Sequence, residues 1–348
     1  MTEGRFYRPE LDGLRFFAFL MVFIAHAAPD PAAWERRLGG PWTFLAAISA
    51  AGVYGVDLFF SLSAYLITTL LLREQERTGE IQAGRFYGRR ALRIWPLYFV
   101  MLTLTPIFAR LIPGEHLSKP YLEAFLLFAG NWACSWWGYP SSVVTPLWSV
   151  SIEEQFYVAW PWVIRYMKRS LPWFLIGLFA ISAMVQFHFR HAPHPTVWCN
   201  TLARLQPIAV GAAIALIPSQ RGSWIVFAIG TISFLICGGL GSTSGPAAVL
   251  TYPTIAIASG VLIFYAPTLT WAPLVYLGRI SYGLYVFHAL SLALVLRQDT
   301  VRSIPEYALR VIGSFVFTAA FAALSYRLLE RPFLKFKDRI AVIHSRPI

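Results

Sequence analysis

Arg15 and His26 stand eleven residues apart in the apolar run YRPELDGLRFFAFLMVFIAHAAP. An ionisable group inside a membrane helix costs roughly 2.5 kcal/mol or more, so a functional site is the first hypothesis for both. At about 100° per residue, eleven steps return a helix to nearly the same face. At about 1.5 Å per residue they separate the two groups by roughly 16 Å. The helix therefore presents a cation near one end and a titratable imidazole near the other, on a single stripe. That layout suits a long, phosphate-headed molecule reaching in along the helix.

Other residues fit the same pattern. Arg90 and Arg93 are three apart at the start of an apolar run and share a helix face. Guanidinium groups bind phosphate in a forked geometry, against the plainer reading of positive-inside charge touching lipid headgroups. Glu153 lies in a further apolar run, at a depth expected to match His26, where a carboxylate could orient the imidazole. Glu154 points about 100° away. The plainer reading of Glu153 is an ion pair with an intramembrane arginine. Asp57 is an alternative orienting acid, or a helix-start cap.

Elements of definite length must position these groups. Of 348 residues, 57% are hydrophobic and only 13% charged, where a soluble domain carries about 25% charged residues. The chain reads as an all-α polytopic membrane protein. Apolar runs occur at roughly 11–28, 52–72, 94–112, 146–164, 171–189, 201–218, 223–240, 247–266, 274–296 and 307–329, about ten transmembrane helices. The shorter stretch Tyr121 to Trp137, broken by Gly130 and Asn131, is expected to be re-entrant or interfacial. With both termini on the cytoplasmic side, the 29 Lys and Arg divide about 19 inside to 9 outside, with Arg15 within the first helix. The +12 net charge thus reflects topology and argues little for nucleic acid. A signal-like start (Arg5, Arg8, an apolar stretch, AHAAPD) is interrupted by Asp12 and Arg15, which argues against cleavage. No metal-ligand spacing links Cys134, Cys199 and Cys237; a Cys134–Cys199 bridge is open, with free buried thiols favoured. No repeat or linker divides residues 1–348, so a single membrane domain is expected.

Five motifs in order resemble acyltransferase family 3, integral membrane proteins that move acyl groups from acyl-CoA to hydroxyl acceptors. They are LDGLRFFAFLMVFIAH, GVDLFFSLSAYLIT, RFYGRRALRIWPLYF, LWSVSIEEQFYVAWP, and LGRISYGLYVFHAL with the closing LLERPF. Ala64 and Tyr65 depart from the family's usual residues after the serine of the second helix. The resemblance implies an O-acyltransferase of a bacterial inner membrane, acetyl-transferring by expectation, with acyl-CoA as co-substrate and no permanent cofactor or metal. A carbohydrate, glycolipid or related hydroxyl compound would be the acceptor.

Acyl transfer from a thioester needs a base or nucleophile, an oxyanion stabiliser and a grip on CoA. The resemblance makes His26 and Glu153 the catalytic candidates and Arg15, Arg90 and Arg93 the CoA-binding ones. Asp57, Asn131, Trp148, Tyr157 and His288 are supporting or acceptor-site candidates. For Trp132, Trp136, Trp137 and Trp148 an interfacial anchor is the favoured reading over sugar stacking. For His288 a structural hydrogen bond stands level with an acceptor channel. From a different class, a transporter or flippase could use Arg15, His26 and Glu153 as a proton or substrate pathway, but inverted repeats are lacking.

Overall fold

The computed structural model describes residues 6–28, 40–218, 222–268, 271–297 and 303–339. Both chain ends, including Arg5, and Pro29–Asp30 of the signal-like start lie outside the described residues, which form helices without a strand. In order they are α1 (Pro9–Ala27), α2 (Gly40–Gly52), α3 (Gly55–Thr78), α4 (Ala83–Thr103), α5 (Thr105–Leu111), α6 (Lys119–Leu126), α7 (Gly130–Trp137), α8 (Trp148–Met167) and α9 (Leu171–His188). There follow α10 (Leu205–Ile214), α11 (Trp224–Leu240), α12 (Ala248–Phe264), α13 (Ala272–Arg279), α14 (Ser281–Ser291), α15 (Ile304–Ser325) and α16 (Arg331–Arg339).

Local chemistry accounts for many of the ends. Proline occupies the first turn of α1, α5, α6, α9, α13 and α15, where its missing N–H is no loss. Ser303 accepts a hydrogen bond from the Glu306 N–H to open α15, the serine half of a capping box. Gly79, at φ 78°, closes α3 with its N–H on the Gln75 carbonyl, a left-handed position suited to glycine.

Each of the ten apolar runs falls on a helix or a bent helix pair. By length and composition, Ala46–Thr78, Leu171–His188 and Ile304–Phe336 can each cross a membrane; counting two bent pairs brings the number to five. Ten crossings are therefore not established. Several helices are shorter than the roughly 20 residues a span needs: α10 has 10 residues, and α11 and α12 have 17 each. Others bend, by 46° between α4 and α5 and by 73° between α13 and α14. The Tyr121–Trp137 stretch forms two short helices, α6 and α7.

Helix α1 sits among α2, α3, α13 and α14. Its neighbours reach its backbone through glycines. A Cβ on Gly55 would stand 2.3 Å from the Ala18 carbonyl oxygen, and one on Gly278 would stand 1.8 Å from that of Asp12. Small residues permit such helix contact in membranes. Phe19, Val22 and Phe23 of α1 are completely or almost completely buried, so this face of the helix is packed into the bundle between Arg15 and His26.

Gly278→Val forces α13 off the α1 backbone. It should cost about 1–3 kcal/mol or more, read as a lowered thermal midpoint of the detergent-solubilised protein, whereas an exposed change such as Gly84→Ala, where no atom lies near the added Cβ, should leave the midpoint nearly unchanged.

Candidate active site

Helices α1, α3, α4, α8 and α14 surround a cavity of about 90 Å³, room for several water molecules. Arg15, Arg90 and Arg93 enter its wall beside Glu153, Ser63 and Tyr157. The Ser63 and Tyr157 hydroxyls meet at 2.7 Å, and Glu153 has Arg15 and Arg93 as its neighbouring cations. Arg90 lies 5.7 Å over the rings of both Phe86 and Tyr157, and its Nε has no hydrogen-bond partner among the described residues. Arg15 reaches Asp12 at 3.1 Å. A second cavity, of about 40 Å³, shares Arg15, Arg90 and Arg93 and adds Arg8 and Asp12. The three arginines thus form a common wall between two cavities.

The chain between α3 and α4 aims this cluster. Buried Glu74 accepts from Arg89 Nη2 at 3.0 Å and from the Gln82 N–H at 2.9 Å. It ties down the residue before α4 and the second turn of that helix, where Arg90 follows Arg89 directly and Arg93 lies one turn further on.

His26 lies at the far end of α1 and is exposed, whereas His288 on α14 is fully buried. Their rings stack with centroids 5.0 Å apart, and His26 Nδ1 lies 2.9 Å from His288 Nε2. His288 Nδ1 faces the backbone carbonyl of Tyr285. The Tyr285 ring lines the arginine-walled cavity and sits 5.4 Å from the His288 ring. Its hydroxyl meets Ser149 at 2.7 Å and donates to the Pro146 carbonyl at 3.0 Å. Tyr285 therefore joins cavity and histidine pair. Immediately beyond, Leu292–Leu296 is a π-helical turn, a feature frequent at functional sites.

These positions revise several expectations. Glu153 does not share the depth of His26; it stands level with Arg15. The reason is that α8 begins inside the bundle. Val143, Val144, Leu147 and Trp148 are all buried, so α8 starts among other helices, and Glu153 lines the cavity with Arg15, Arg90 and Arg93 and not with His26. Tyr157 follows it to the arginine level. Trp148 is not an interfacial anchor but packs 6.0 Å from Trp198, while Trp136 and Trp137 are exposed. Asn131 is fully buried and fully used, donating to the Cys199 carbonyl and Thr201 Oγ1 and accepting from Gln155. It staples α7 to α8 and to the loop before α10. Cys134 and Cys199 are buried free thiols.

Asp57 is neither a helix cap nor a partner of the imidazole pair. It accepts from Arg204 Nη2 at 2.7 Å with both side chains fully buried, and the guanidinium lies 4.1 Å over Trp198 and 4.8 Å over Tyr252. Arg204 was missed. Its signal was the one that singled out Arg15, a lone arginine in an apolar run. Glu74, Ser149 and Tyr285 carried no comparable signal, since their roles depend on partners distant in sequence. Among the described residues, no group of three or more His, Cys, Asp or Glu could hold a metal ion.

Comparison with known proteins adds to this geometry. A family model described as an acyltransferase domain matches residues 8–327. The O-acetyltransferase OatA of Staphylococcus aureus, in strains NCTC 8325 and COL, is 29% identical over 367 residues, covering 94% of this chain and 57% of the relative. The chain thus spans under three fifths of the length of these curated relatives. No solved structure matches it significantly.

Removing one partner of a buried ion pair strands the other, so Asp57→Ala should lower stability by about 3–5 kcal/mol. The double variant Asp57→Leu, Arg204→Met should recover much of that loss in thermal unfolding. A double variant as unstable as the single would show that the pair is not the source of the effect.

Proposed function

Because the chain belongs to the acyltransferase domain family, we propose that it is an integral membrane O-acyltransferase, moving an acyl group from acyl-CoA to a hydroxyl of a carbohydrate or glycolipid. The observation that carries this reading is the layout along α1. A cavity wall of three arginines stands at one end and a histidine pair at the other, roughly 16 Å away. Acetyl is the favoured group, since the relatives are named O-acetyltransferases. With ten crossings and both termini inside, the division of Lys and Arg favours an orientation with the arginine end toward the cytosol, where acyl-CoA is found. The protein then belongs in a bacterial cytoplasmic membrane with both termini inside and the acceptor approaching the histidine end.

In this reading the phosphates of CoA meet Arg15, Arg90 and Arg93, whose forked donors suit them. Glu153, a neighbouring carboxylate in the same cavity wall, offsets part of that positive charge. The pantetheine arm runs past Tyr285 toward His26. The His26 imidazole takes the proton of the acceptor hydroxyl as its oxygen attacks the thioester carbonyl carbon. Collapse of the tetrahedral intermediate breaks the C–S bond, and the departing thiolate takes that proton from His26. The products are the O-acyl ester and free CoA thiol. A transient acyl-histidine is the alternative route; label from radioactive acetyl-CoA retained on the protein without acceptor would favour it.

Two measurements test the assignment. Arg90→Ala, Arg93→Ala should weaken acetyl-CoA binding by about 100-fold or more, since each charge-assisted contact contributes about 1.5–3 kcal/mol; an unchanged Kd would remove the pair from the CoA site. His26→Ala should bind acetyl-CoA normally yet lose turnover by about 10²–10⁴-fold, and retained turnover would remove His26 from the mechanism.

A further inference from the structure

We infer that His288 is a positioning residue that sets the tautomer of His26, so that the nitrogen facing the acceptor is always the basic one. The inference rests on the reading of His26 as the base.

The argument follows from what each atom can do. A backbone carbonyl only accepts hydrogen bonds. The Tyr285 carbonyl facing His288 Nδ1 therefore requires the proton of neutral His288 to be on Nδ1. Its Nε2 then carries a lone pair. That lone pair lies 2.9 Å from His26 Nδ1, so the proton of neutral His26 is on Nδ1. A neutral imidazole has one N–H, which makes Nε2 of His26 the proton acceptor. The chain of donors runs from His26 to His288 to the Tyr285 backbone and stops there, because a peptide carbonyl does not take up a proton. His288 can share the proton of an imidazolium on His26 through its Nε2, but the carbonyl beyond it cannot pass that proton on, so it stays within the pair, available for the leaving thiolate.

The setting suits such a device. His288 is fully buried and His26 is exposed, so the inner ring is held by packing while the outer ring borders the surface. Phe19 stands 6.4 Å from His288, edge-on. Tyr285, whose carbonyl ends the chain, is itself anchored by Ser149 and Pro146. The same residue that lines the CoA cavity thus fixes the histidine pair. This assigns His288 an orienting task that a carboxylate performs in other histidine-based sites.

The test compares His288→Gln, His288→Asn and His288→Leu in the full-length, detergent-purified chain. Turnover is read as CoA thiol released from acetyl-CoA, with a soluble cell-wall oligosaccharide mixture as acceptor. A glutamine amide reaches the position of Nε2 and can accept from His26; asparagine reaches only the position of Nδ1, and leucine neither. Leucine and asparagine should lower kcat by about 100-fold or more with KM for acetyl-CoA within about twofold, while glutamine stays within about tenfold of the parent. Nitrogen-15 NMR of histidine-labelled protein needs no acceptor: His26 should show a protonated Nδ1 and a bare Nε2, reversed or mixed in His288→Leu. Full turnover in folded His288→Leu, equal losses in the glutamine and asparagine variants, or a parent His26 protonated on Nε2 would each overturn the inference. If His26→Ala is inactive while His288→Leu is active, only the positioning role fails. Turnover in His26→Ala instead removes the reading on which it rests.

Discussion

Gly55 and Gly278 bring the backbones of α3 and α13 against that of α1, and this contact governs what the polar side chains of α1 can do. A helix seated backbone to backbone has little freedom to rotate or slide. Arg15 and His26 are therefore presented at a fixed separation and a fixed angle. Arg15 faces the helices that carry Arg90, Arg93 and Glu153, while His26 faces α14 and His288. An apolar bundle offers few ways to satisfy a charge, so each polar group must meet its partner where the helices place it.

Two kinds of polar cluster result. One is closed. Asp57 and Arg204 sit in an aromatic box of Trp198, Tyr252 and Phe60, and the Asn131, Gln155 and Thr201 network uses its donors and acceptors internally. These clusters hold helices together. The other kind is open. The arginine wall borders space on both sides, and Arg90 rests on rings instead of a carboxylate. Openness, more than charge, distinguishes the candidate site from the structural ion pairs.

Tyr285 connects the open cluster to the histidine pair by contributing two different parts. Its side chain lines the cavity, and its backbone carbonyl holds His288. The π-helical turn that follows, Leu292–Leu296, changes the hydrogen-bond register of the helix just beyond this point. A second π-helical turn at Tyr326–Glu330 ends in the buried Glu330, for which Arg93 is a neighbouring charge. Arg93 thus has carboxylates on α8 and after α15 among its charged neighbours, another link that no local pattern discloses.

Much was determined by the sequence alone. The apolar runs locate the helices, because burial of the backbone in an apolar environment leaves few alternatives to a helix. The arginine and histidine spacing on α1 locates both ends of the site, because helical periodicity is local. Order and spacing of the motifs indicate the family. Tertiary structure alone decided the pairings. Asp57 looked like a candidate for chemistry until Arg204, 147 positions away, enclosed it. Glu153 looked level with His26 until the packing of α8 put it in one cavity wall with Arg15, Arg90 and Arg93. His288 could have been a core histidine or a channel residue, and only the meeting of α1 and α14 put its ring on His26. Sequence specifies what each residue can do and which helix face it occupies; partners depend on how helices cross, and crossing is settled by contacts between segments far apart in the chain.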